Sequence, residues 1–176
     1  MASVASSPVA PLIELLHQME ALIERLDDFD YEQPAPGRSS GGVGGHVRHC
    51  LDHVMALLAS THTGVCAYDR RARGTDIESC RRAALRAIST LTSALSDFGP
   101  ELLDCTVSVE TQIDQSGTMI TTRSSVGREV AFVISHTIHH QAILGQMLLA
   151  RGITLGPRFG LASATPSEHE SLACAR

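Results

Sequence analysis

Aromatic residues are scarce in this chain. They make up 3% of it, with two tyrosines, four phenylalanines and no tryptophan. The core must be assembled from Leu, Ile, Val, Ala and Met, a mix that favours helix-on-helix packing over a large β-sandwich. A basic stripe with interleaved aromatics is also lacking, and the net charge is −5, so no nucleic-acid partner is expected. Arg70, Arg71 and Arg73, then Arg81, Arg82 and Arg86, form basic spots that Asp69, Asp76 and Glu78 dilute. They read as a solvated helix face and its approach loop, with a site for an anionic substrate as the lesser reading. No apolar run approaches the ~18 residues of a membrane span, so no membrane partner is expected. No C-x-x-C occurs among Cys50, Cys66, Cys80, Cys105 and Cys174. That odd set argues against a disulfide framework or a thiolate zinc site and suits reduced thiols in a cytoplasmic protein. The opening MASVASSPVA has neither a charged stretch nor a long apolar one, so it does not read as a signal peptide.

What is present is helical periodicity. The 176 residues suit one domain, taken as 1–160, with an irregular tail over 161–176. Leu12, Leu15, Leu16, Met19, Leu22, Ile23 and Leu26 predict a first helix from about Val9 to Phe29. Pro34, Pro36 and Gly37 then break the chain. Ser39 and Ser40 offer caps for a second helix. Its glycine-rich start (Gly41, Gly42, Gly44, Gly45) reads as close helix packing, and its stripe runs through Val47, Cys50, Leu51, Val54, Leu57 and Leu58. Thr63–Thr75 reads as a loop. A third helix spans about Asp76 or Ser79 to Leu95, ended by Gly99-Pro100. Leu103–Ile113 alternates in part, Asp114–Gly117 is a turn signal, and Thr118–Thr122 is β-branched, which predicts a short β-hairpin. Ser124 or Ser125 caps a long fourth helix reaching about Arg151, with Gly152 as its stop. The expected fold is all-α, a four-helix bundle with a small β-hairpin inserted between the third and fourth long helices.

Six of the nine histidines fall in two windows, His46-Val-Arg-His49-Cys-Leu-Asp-His53 and His136-Thr-Ile-His139-His140. Residues four apart on a helix differ by about 40° in direction and one turn in height, so His136 and His140 can grip one ion. His139 points about 100° from His140 and cannot readily join both. In the first window His46, His49 and His53 share a sector of about 60°, so any of them can supply a third ligand from a facing helix. Three imidazoles and a water make a metal site with an open position. Glu129, seven residues before His136, and Asp52, three after His49, are candidates to orient a ligand or relay a proton. Each reads more readily as a solvent-facing charge or an intrahelical partner, Glu129 with Arg128 or Arg123. Cys50 sits on the apolar stripe and reads as buried packing rather than as a nucleophile.

The segments SSGGVGGHVRHCLDHV (39–54) and SHTIHHQAILGQ (135–146) resemble the two signature helices of the DinB-like superfamily, which includes bacillithiol S-transferases and mycothiol-dependent maleylpyruvate isomerases. The resemblance implies a four-helix bundle in which one histidine of the second helix and an H-x-x-x-H of the last long helix hold a metal. The register His49-Cys-Leu-Asp52 matches the second-helix pattern, so it selects His49, His136 and His140, with His53 or His46 as replacements for His49. Ala142 and Gly145-Gln146 depart from the H-x-G-Q common after the last ligand.

Two functions follow as expectations. One is a metal-dependent enzyme using zinc or nickel on a small-molecule substrate, for which the resemblance implies a low-molecular-weight thiol and S-transfer or isomerisation, with hydrolysis as a looser option. The other is a non-catalytic, dimeric metal-binding stress-response protein whose ion is structural or vestigial. A homodimer is expected in either case.

Overall fold

The computed structural model describes residues 7–34, 41–70, 75–162 and 164–165. Its first helix, α1 (Ala10–Arg25), carries Pro11 in its opening turn and buries Leu12, Leu15, Leu16, Met19, Leu22 and Ile23. It ends earlier than the expected Phe29. Oδ1 of Asp27 accepts from the Asp30 amide at 2.8 Å and starts a separate short helix, α2 (Asp28–Glu32). An Asp side chain that can bond nearby backbone favours a cap over a helix interior.

The second long helix, α3 (Val43–Thr63), has Gly42 as its N-cap and closes at Gly64, whose φ of 71° suits glycine. The expected caps Ser39 and Ser40 lie outside the described residues. The segment read as a loop, Thr63–Thr75, instead holds a three-residue strand, β1 (Val65–Ala67). Three residues are too few to show alternation, and the strand's partner lies some forty positions away. Next come α4 (Asp76–Ser79) and α5 (Arg81–Ser96), separated at Cys80, where the backbone is extended. A 3₁₀ turn (Pro100–Asp104) leads into β2 (Thr106–Gln112) and β3 (Met119–Ser125). The last helix, α6 (Val126–Leu149), is capped by Ser125, whose side chain accepts from the Arg128 amide.

The fold is therefore mostly helical with a small mixed sheet ordered β1-β2-β3, the first pair parallel and the second antiparallel. The four long helices pack round one core: α3 against α5 and α6, and α1 against the same two. Leu12, Leu16, Leu51, Leu57, Ile88, Leu144 and Leu148 are fully enclosed there, each stabilising by about 1.5–3 kcal/mol. Val107 and Val109 turn one face of the sheet to this core, whereas β3 is almost wholly exposed. After α6 the chain folds back on the bundle. Arg151 donates to the carbonyls of Asp30, Gln33 and Pro34. Gly160 (φ +74°) lies so close to α6 that a Cβ there would stand 2.5 Å from the Ala142 amide nitrogen. Residues 161, 162, 164 and 165 are in neither helix nor strand, and the rest of the expected tail lies outside the described residues. Among the described residues no helix is long and apolar enough to cross a membrane.

Candidate metal centre

The α3–α6 contact brings the two histidine windows face to face. Ligand-type nitrogens of His49, His136 and His140 all lie within 4.8 Å of one another. Nε2 of His49 and Nε2 of His136 are 2.8 Å apart. Two nitrogens at ~2.0–2.1 Å from one shared ion are at most about 4.2 Å apart, so small side-chain rotations would close all three on a single centre. Burial, and then the neighbouring His136, His46, His139 and His53, push the His140 imidazole down to about 3. It is therefore neutral near pH 7, with a lone pair to offer. A set of three imidazoles without a carboxylate suits several divalent transition metals. On donor chemistry, these residues fit such an ion.

The other candidates are placed differently. His46 leans on His140, Nδ1 to Nδ1 at 2.9 Å. His53 is buried and donates Nδ1–H to the His49 carbonyl at 2.8 Å. Its ring stacks on His136, with centroids 4.1 Å apart, and on Tyr68, at 4.9 Å. It packs behind the set rather than within it. His139 is exposed, as its direction on the helix predicts.

Glu129 corrects one expectation, since it is not a solvent-facing charge but fully buried. It accepts from Tyr68 Oη (2.8 Å), Ser124 Oγ (2.6 Å) and Arg128 Nη1 (2.9 Å), so Arg128 is one partner of three. Asp52 pairs with Arg48 at 3.6 Å, and Arg48 Nε also meets Glu78 at 3.2 Å. Cys50 is buried as expected, and burial pushes its thiol up to about 12.

A cavity of about 320 Å³ opens beside the set, lined by His46, His49, His140, Arg48, Glu78 and Gly45. Glycine at the start of α3 is what brings Glu78 there. A Cβ on Gly44 would strike the Glu78 carbonyl and stand 2.7 Å from Cε1 of Tyr31. Close packing is thus the role of Gly42 and Gly44, whereas Gly41 and Gly45 have no close neighbour at their Cβ positions. Glu78, Arg48, Tyr68 and Phe132 were not singled out by sequence reasoning as parts of the site. Phe132 stacks on His136 at 5.5 Å.

Among solved structures, a DinB-like protein from Bacillus subtilis matches with a TM-score of 0.61. The match covers 86% of this chain and 96% of that one, at 17% sequence identity. The chain has the DinB-like fold. That identity speaks to the DinB-like fold alone, and it agrees with the resemblance seen around His49 and His136. Among curated proteins, FK506-binding protein 5 of Rhizopus delemar is 31% identical over 116 residues, 65% of this chain. The chain spans 30% of the length of that relative. No protein-family model matches the chain.

Proposed function

We propose that this chain holds a divalent metal ion on His49, His136 and His140 and uses it on a small-molecule substrate. The observation that carries the reading is the convergence of the three imidazoles from two helices beside a cavity that His49 and His140 both line. A bound divalent ion supplies Lewis acidity and lowers the pKa of a coordinated water or thiol.

The chain's own residues would do the rest. His53 packs on His136 and ties its own ring to the His49 carbonyl, so the mutual position of two ligands is set before an ion arrives. Gly45 leaves the cavity floor without a side chain, and the Arg48–Glu78 pair fixes a charged lip over it. A thiol is the substrate class this reading adopts, because the motif around His49 and His136 resembles a superfamily with thiol-dependent transferases and isomerases. Hydrolysis by a coordinated water is the competing reaction class.

A second reading rests on His46. Its Nδ1 lies 2.9 Å from that of His140, and a fourth imidazole in the coordination sphere would make the ion structural. Cobalt(II) substitution separates the two. An open site predicts that an added small thiol or azide changes the visible absorption spectrum of the cobalt protein. A spectrum indifferent to both, and sensitive to His46→Ala, would favour a closed structural ion.

A further inference from the structure

We infer that the protein has a second binding site, separate from the histidine set, for a small apolar carboxylic acid that carries an N–H donor, the chemistry of an N-acylated apolar amino acid. The site is a cavity of about 380 Å³ between α1 and the segment that follows α6. Its size falls in the range of ~300–1,000 Å³ usual for ligand pockets.

The return of the chain after α6 builds it. The backbone there is pinned at two points. Nη2 of Arg25, in the last turn of α1, donates to the Thr154 carbonyl at 3.1 Å. At the other end Gly160 is pressed on the Ala142 backbone. A turn closed by the Phe159 amide on the Gly156 carbonyl, at 3.1 Å, spans the interval. Leu22 belongs to the core and Leu155 and Phe159 pack against it. The same three side chains supply apolar lining to the cavity, so an apolar body placed there is held by the surface it removes from water.

The polar groups of the cavity are of one sign. Arg25 and Arg158 both line it, and among the described residues that line it none is acidic. The ion pairs of the described residues belong to Arg48, Arg70, Arg81, Arg128 and Arg151, so neither of these two guanidiniums is matched by a carboxylate there. Arginine stays charged, and its planar fork fits a carboxylate.

Gln18 adds a different demand. Its Nε2 donates to Glu14 Oε1 at 3.2 Å, which leaves the amide oxygen as the group to be satisfied. That oxygen is buried and accepts from nothing among the described residues. A buried acceptor short of a donor is destabilising, and a ligand N–H would serve it. Gln18, Leu22 and Arg25 stand at i, i+4 and i+7, on one face of α1. Gln18 and Arg25 are about 10 Å apart along the axis, a gap that two long side chains close to the span of a short molecule. Two cations, one acceptor and an apolar lining are the complement of a carboxylate, an N–H and an apolar side chain.

The probe is N-acetyl-L-phenylalanine, titrated into the full chain by calorimetry. A dissociation constant of about 1 mM or tighter is expected. The corresponding uncharged amide should bind at least about tenfold more weakly. Phenylpropionate, which has the charge and the ring but no N–H, should also bind more weakly than the probe, and Gln18→Leu should erase that difference. Arg158→Ala, at an exposed position, should keep the native melting temperature and weaken the probe about tenfold. Ala21→Phe, also exposed and lining the cavity, fills it and should abolish binding. No histidine lines the cavity, so added zinc should leave the affinity unchanged. Absence of binding at millimolar probe overturns the inference. So does equal affinity for the uncharged amide, or native affinity in Arg158→Ala or in a folded Ala21→Phe variant. A Gln18→Leu variant that still prefers the probe to phenylpropionate, or binding that appears only with zinc, overturns it as well.

Discussion

The hydroxyl of Tyr68 donates to Oε2 of Glu129 at 2.8 Å, joining a residue just past β1 to the first turn of α6. The Tyr68 ring stacks on His53, and His53 stacks on His136. A buried carboxylate is thereby linked to a candidate metal ligand through two rings. Burial first, and then Cys66 and Glu129, push the Tyr68 phenol above its ordinary range, so it remains a donor.

Tyr68→Phe should cost about 1–3 kcal/mol of stability, the penalty for leaving a buried acceptor short of a donor. Urea unfolding followed by circular dichroism measures it. Because Ser124 and Arg128 still serve Oε1, the variant should fold. A change below about 0.5 kcal/mol, the range of ordinary surface substitutions, would contradict the role given to this bond.

Gly44 and Gly45 should respond differently to alanine. At Gly44 a Cβ meets the Glu78 backbone and the Tyr31 ring, neither of which can swing aside. Overpacking of this kind costs about 1–3 kcal/mol. At Gly45 the nearest atom is Glu78 Oε1 at 3.7 Å, an ordinary contact, and the helix should gain up to about 1 kcal/mol from the exchange. Thermal melts of the two single variants check the contrast, and equal melting temperatures would contradict it.

Asp114 supplies a pH marker far from the histidines. Its Oδ1 accepts from the Thr118 amide at 2.9 Å and from Ser116 Oγ at 2.8 Å. Hydrogen bonds from Thr118, and then Ser116, hold its carboxyl down to about 2. A folded pKa below the unfolded value means the turn's contribution is present above about 4 and is lost as pH falls toward 2. The Thr118 amide resonance should titrate with a midpoint near 2, and a midpoint near 4 would show that the turn does not hold Asp114.

Much of this was legible in the sequence because it is local. The 3.6-residue spacing of Leu12–Leu26, the turn signal at Asp114–Gly117 and the Ser125 cap lie within a few residues of what they specify. His136 and His140 were legible for the same reason, since one helix fixes both. On helix geometry alone the third position was a choice among His46, His49 and His53, because it depends on how α3 rotates against α6, and the resemblance put His49 first. β1 went unread because its pairing with β2 is long-range. Glu129 looked like a surface charge because its donors Tyr68 and Ser124 come from other elements. Glu78 reaches the cavity only through the fit of α4 against Gly44.

The most direct measurement is metal content per chain by mass spectrometry after loading with zinc or nickel and removal of excess. One ion per chain is expected, and a full ion for His139→Ala, whose side chain is exposed and outside the set. The His136→Ala/His140→Ala double variant should lose the ion, and His49→Ala should bind it at least about tenfold more weakly. A native chain that binds no ion, or a double variant that retains it, would contradict the three-histidine centre.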